Sequence, residues 1–163
     1  MITLGVDPGT AILGYGVIEG DTEPLLIEYG VIETESHLPM PQRLNTVYDR
    51  FGALLLKFNP GVVAVEQLFF ARNVTTAIAV GQARGVILLA AAQAHIRVFE
   101  YSPSEVKHAV VGYGKADKRQ IQEMVRLILG LALPPEPDDA ADALAIALCH
   151  AQTAQFVART GNE

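Results

Sequence analysis

Ile2-Thr3-Leu4-Gly5-Val6-Asp7-Pro8-Gly9-Thr10-Ala11-Ile12-Leu13-Gly14-Tyr15-Gly16-Val17-Ile18 opens the chain. Its first five residues read as a strand that ends on an acid, Asp7. Pro8-Gly9-Thr10 breaks the pattern, and Gly14 to Ile18 resumes it. A turn at Gly20-Asp21 leads to a third strand over residues 25–32. Breaks this short predict an antiparallel meander.

Beyond the meander the periodicity changes from 2 to 3.6. Pro41 opens a helix whose Leu44, Val47, Tyr48, Phe51, Leu54, Leu55 and Phe58 share one face, and Asn59-Pro60-Gly61 stops it. Val62-Val63-Ala64-Val65 is a continuous apolar run, as in a buried parallel strand, and Glu66 ends it. Asn73 is a candidate cap for a helix reaching about His95 that is apolar on nearly every side. Such a helix is expected to be covered twice, by its own sheet and by a partner subunit, with Ile87 at an exposed position. A fifth strand (97–101), a short helix launched by Ser102-Pro103-Ser104, a helix from about Asp117 and a last helix from about Asp138 complete the order. The expected class is α/β: a five-stranded mixed sheet flanked by helices, in one domain spanning 1–163.

Acids occupy three positions that a core would not favour. Asp7 and Glu66 each end a strand, and parallel neighbours present such ends at one edge of the sheet, where ligands bind in open α/β folds. Asp139 and Asp142 are three apart on the last helix and face one side. The small Ala140, Ala141 and Ala143 would let that helix approach the sheet. Four carboxylates in one crevice raise each other's pKa, and a hard divalent cation such as Mg²⁺ relieves the conflict. Two such ions suit phosphodiester hydrolysis. Simpler readings exist for each acid: a turn at Asp7, an ion pair between Glu66 and Arg72, a helix cap at Asp138 or Asp139. Asp142 is harder to dismiss, because it sits one turn inside an otherwise apolar helix.

Composition narrows the class. The chain has 163 residues, 50% hydrophobic and 18% charged, with net charge −6. The acidity counts against nucleic acid, but its distribution is uneven. Residues 72–126 hold eight bases, among them Arg72, Lys107 and Lys118, against four acids. This basic middle is a candidate phosphate-binding face. The lone Cys149 forms no internal disulfide, and no Cys/His zinc pattern is present. The N-terminus lacks a signal-peptide pattern, and the longest apolar run, residues 86–92, is short for a bilayer. A cytoplasmic location with no membrane partner is the expectation.

These segments resemble the RuvC family of Holliday-junction resolvases from end to end. The resemblance rests on Gly5 to Thr10, Gly14 to Ile18, Val65-Glu66-Gln67-Leu68-Phe69, Gly81-Gln82-Ala83-Arg84-Gly85, Val106-Lys107, Val110-Val111-Gly112 and residues 139–147. It implies a ribonuclease-H-like fold, a homodimer, and dependence on Mg²⁺, with Mn²⁺ as a substitute. It further implies paired symmetrical nicks in four-way DNA junctions, leaving 5′-phosphate and 3′-hydroxyl ends. A branch-migration helicase complex is an implied partner. Family catalytic and metal-binding acids fall on Asp7, Glu66, Asp139 and Asp142. DNA-holding bases fall on Lys107 and Lys118, with Arg72 beside them in the basic segment. A base-stacking aromatic falls on Phe69, and Phe70 doubles it. Asp138 is an added acid directly before the matched pair. The rival readings are another ribonuclease-H-like nuclease acting on RNA or hybrids, and a junction-binding scaffold without catalysis.

Overall fold

The computed structural model describes residues 1–67 and 73–161. Five strands form one sheet: β1 (Ile2–Asp7), β2 (Ile12–Glu19), β3 (Leu25–Glu33), β4 (Val62–Glu66) and β5 (Arg97–Tyr101). Their spatial order is β3-β2-β1-β4-β5. The first three pair antiparallel, as the short breaks predict, and β4 and β5 add in parallel on the other side of β1.

Five helices cover the sheet: α1 (Met40–Phe58), α2 (Val74–Gln93), α3 (Pro103–Val111), α4 (Lys118–Ile128) and α5 (Asp138–Thr160). Alternation along the strands sorts them into two layers. Leu4, Val6, Val63 and Val65 point to one face, where Val47, Phe51 and Leu55 of α1 and Ile87, Ala90 and Ala91 of α2 meet them. Ala64 and Ile18 point to the other, against α3, α4 and α5. By the same alternation Gly5, Asp7 and Glu66 belong to the α5 face.

The helix ends follow local chemistry. The Asn73 side chain accepts from the amides of Thr75 and Thr76 and so caps α2. Reciprocal capping boxes start α3 (Ser102 with Glu105) and α4 (Asp117 with Gln120). The start of α5 differs from expectation. Neither Asp138 nor Asp139 caps it; Pro137 holds the cap position without a side-chain bond, and both acids lie inside the first turn. Pro137 ahead of the helix removes an amide that a cap would otherwise have had to satisfy nearby, and the acids are left to interact with the helix dipole.

Ile87 also departs from expectation. It is fully buried, and the exposed large apolar residues of α2 are Val74, Ile78 and Leu89. A helix apolar all round carries no phase, so periodicity does not reveal which side meets the sheet. By length and composition α2 is apolar enough to cross a membrane, contrary to the expectation drawn from residues 86–92. In the structure it packs against α1 and β5, and Arg84 in its middle forms an ion pair with Glu100 of β5.

Candidate active site

The register of the sheet brings the first two acids together. Val6 pairs with Val65 across the parallel β1–β4 ladder, so Asp7 and Glu66 are the next residues at the carboxyl edge. Both turn to the α5 face.

Three glycines then bring α5 down onto that edge. Gly14 lies opposite Asp7 in the β1–β2 ladder, and Gly16 lies opposite Gly5. A Cβ on Gly14 would overlap the carbonyl of Asp139; one on Gly5 would overlap the carbonyl of Ala143; one on Gly16 would press into Leu144. The three positions form a floor without side chains, on which the helix backbone rests. Glycine inside a strand marks such a close approach. Its signal was in the sequence, as glycines alternating along β2 beside Gly5, but their helix partner is visible only in three dimensions. The alanines expected to permit this approach, Ala140, Ala141 and Ala143, are fully buried.

Asp139 is thereby placed over Gly14, beside Asp7. From Ala140 to Ala151 every residue of α5 is buried except Asp142. Asp142 opens into a cleft of about 370 Å³, whose polar lining includes Glu66, Lys107, Asp117 and Lys118. Four carboxylates and two lysines thus gather at one sheet edge. Phe69 and Arg72 lie outside the described residues.

Electrostatics reflect the crowding. Burial, then the charges of Glu66, Asp142 and Asp139, push the Asp7 carboxyl up to about 8. Burial and the Asp142 charge raise Glu66, with Lys107 and Lys118 opposing. Asp142 is raised chiefly by burial, against the pull of Lys118. Burial works against the Lys118 charge, but Asp142 and Asp138 outweigh it and its pKa rises. The Lys118 ammonium lies 3.2 Å from Asp138 Oδ2 and 3.4 Å from Asp142 Oδ2.

As the side chains stand, no three acids, histidines or cysteines among the described residues enclose one cation. The donor chemistry nevertheless suits a hard divalent ion. The donors are carboxylate oxygens that oppose one another's ionisation, and the Lys118 ammonium bound to Asp142 offsets only part of that opposition. Of the histidines, His150 is buried on the far half of α5 and bonded to Tyr101, away from the acids.

Known proteins resemble the chain along its length. The family model described as crossover junction endodeoxyribonuclease RuvC matches residues 3–150. A protein of that name from Chloroflexus aggregans is 57% identical over 162 residues, covering 99% of both chains. One from Thermomicrobium roseum is 58% identical over 152 residues, 93% of each. The structure of Thermus thermophilus RuvC in complex with a Holliday junction substrate superposes with a TM-score of 0.88 at 39% identity, covering 96% of each chain. The yeast mitochondrial Holliday junction resolvase, at 14% identity and a TM-score of 0.68, covers 96% of this chain and 82% of its own, and shares the fold. The chain therefore belongs to the RuvC family of crossover junction endodeoxyribonucleases, with the ribonuclease-H-like fold and the divalent-metal-dependent nuclease chemistry that go with it.

Proposed function

We propose that this chain, as one nuclease domain spanning residues 1–163, resolves four-way DNA junctions by paired nicks on opposed strands in the cytoplasm. The observation that carries the reading is the convergence of Asp7, Glu66, Asp139 and Asp142 at one sheet edge, beside the cleft that holds Lys107 and Lys118. In this reading the four acids hold two Mg²⁺ ions, with Mn²⁺ as a substitute. When bound, the ions supply Lewis acidity toward the scissile phosphate and lower the pKa of water. The chain's own residues do the rest. The acids fix the ions at the edge of a rigid sheet. Lys107 and Lys118 bind phosphate oxygens, with Arg72 as a further phosphate contact. Phe69 stacks on a base near the crossover, a contact worth about 1–3 kcal/mol.

The test is an end-labelled four-way junction with a migrating crossover, run beside a linear duplex and an RNA–DNA hybrid, each with Mg²⁺, Mn²⁺ or EDTA. Symmetrical nicks in the junction alone, and only with metal, are the expected result. Cleavage of the hybrid instead would replace the substrate. Binding without cleavage under every metal would leave a scaffold.

A junction has two equivalent scissile phosphates, and a two-fold dimer offers one acidic site to each. In α2 the only charged residue is Arg84, which faces Glu100. Its outward face carries Val74, Ile78 and Leu89, exposed by 70%, 56% and 54%. This uncharged strip is the proposed dimer contact, and a branch-migration helicase complex is the proposed further partner. Leu89→Arg should reduce the mass in solution from dimer to monomer without unfolding the chain. A dimer that persists would remove α2 from the interface.

A further inference from the structure

Asp138 stands outside the four acids and directly before the Asp139–Ala147 motif, yet its side chain is held at two points. Gln122 Nε2 donates to Asp138 Oδ1 at 2.8 Å, and the Lys118 ammonium lies 3.2 Å from Asp138 Oδ2. Lys118 and Gln122 are one turn apart on α4, and Asp138 and Asp142 are one turn apart on α5. Two residues of each helix therefore meet across the mouth of the cleft. Lys118 sits between the two carboxylates, since it also reaches Asp142 Oδ2 at 3.4 Å.

The two anchors are not equivalent. Asp142 is half-buried and belongs to the proposed metal-binding set; Asp138 is largely exposed, with its charge favoured by the bonds from Lys118 and Gln122. A divalent ion on Asp142 would occupy its oxygens and repel the ammonium. A lysine on a flexible four-carbon stem would then leave, unless a second carboxylate kept it. Folding does not account for this pair, because exposed ion pairs contribute little to stability. Capping does not account for it either, because the Asp138 side chain makes no cap bond.

We propose that Asp138 is a positioning residue that keeps the Lys118 ammonium at the mouth of the acidic cleft when metal engages Asp142. The inference rests on the metal-site reading above. Gln122 holds the Asp138 carboxylate in place, and the pair acts as a tether on α4.

The first measurement does not depend on cleavage. The folded protein is treated with N-hydroxysuccinimidyl acetate in EDTA or in Mg²⁺, and acetylation of each lysine is followed by peptide mass spectrometry. In the native protein Lys118 should react more slowly than Lys115, an exposed lysine just before α4, in both conditions. In Asp138→Ala, Lys118 should react about 3- to 10-fold faster in Mg²⁺, and less so in EDTA, where Asp142 still holds it. Asp138→Glu should restore protection. An Asp138→Ala protein whose Lys118 stays protected in Mg²⁺ would overturn the proposal.

The second measurement is single-turnover cleavage of the junction. Asp138→Ala should slow the cleavage step by a similar factor while junction affinity stays level or tightens, because a negative charge near DNA has been removed. In a Lys118→Ala background the same change should cost nothing further; an undiminished loss there would mean that Asp138 does not act through Lys118. If the native protein leaves junctions intact, the functional reading fails by itself, and the acetylation pattern still decides the role of Asp138.

Discussion

Asp142 and His150 lie about two turns apart on α5, and the fold treats them in opposite ways. His150 is 4% exposed, and its Nδ1 and the Tyr101 hydroxyl share a hydrogen bond of 2.7 Å. Phe99 packs against its ring at a centroid distance of 4.8 Å. The group is buried, partnered and neutral in tendency, because burial lowers its pKa. Asp142 sits among acids that raise one another, with Asp7 pushed up to about 8. The middle of the helix resolves its polarity internally. Asp142 is left in an electrostatic conflict that a bound proton or an external cation relieves. A satisfied buried polar group stabilises a fold, whereas a frustrated one marks a place where stability is given up for chemistry.

The largest effect that bears on this contrast belongs to Asp7→Asn. Junction cleavage should fall on the order of 1,000-fold, while binding persists. In EDTA at pH 8 the same variant should be more stable than the native protein, by about 1–2 kcal/mol, as read by urea denaturation. A loss of stability would mean that Asp7 serves the fold.

In the middle of α5, His150→Ala should destabilise by about 2–4 kcal/mol, because it leaves a cavity and an unpaired Tyr101 hydroxyl. The cleavage rate of the folded fraction should not change. A catalytic loss at full stability would break the distinction between the two positions.

The smallest effect is in pH dependence, where the acidic site and His150 carry opposite signs. Asp7 has a folded pKa raised from 3.8 to about 8, so its contribution is fully present below pH 3.8 and is lost as pH rises toward and through 8. His150 has a folded pKa below its ordinary 6.5, so its contribution is present above 6.5 and lost as pH falls through the folded value. In EDTA the urea midpoint should therefore decline toward pH 8, and Asp7→Asn should flatten that decline. Saturating Mg²⁺ should oppose it, since metal binding favours the ionised carboxylates. A midpoint that rises steadily from pH 5 to pH 8 without metal would contradict the frustrated site.

The acidic half of this contrast was legible in the sequence. Strand ends at Asp7 and Glu66 follow from turn residues and an apolar run, and Asp142 stood out as an acid inside an apolar helix. The sheet class followed from short breaks in the first third and longer crossovers after it. What was not legible depended on phase or on facing partners. The even apolarity of α2 hid which side Ile87 takes. Asp138 and Asp139 look like caps because aspartate favours that position, but Pro137 stands there instead. The roles of Gly5, Gly14 and Gly16 require knowing that α5 crosses them.

The glycine floor has a further consequence for how the site moves. With its middle turns sealed between the sheet and the α3–α4 layer, α5 has no route to local opening that spares the core. Its central amides should exchange hydrogen with solvent only through global unfolding, as slowly as those of β1. Asp139 and Asp142 stand at the N-terminal edge of this sealed segment, so a bound ion or phosphate meets carboxylates whose backbone is held against the glycine floor.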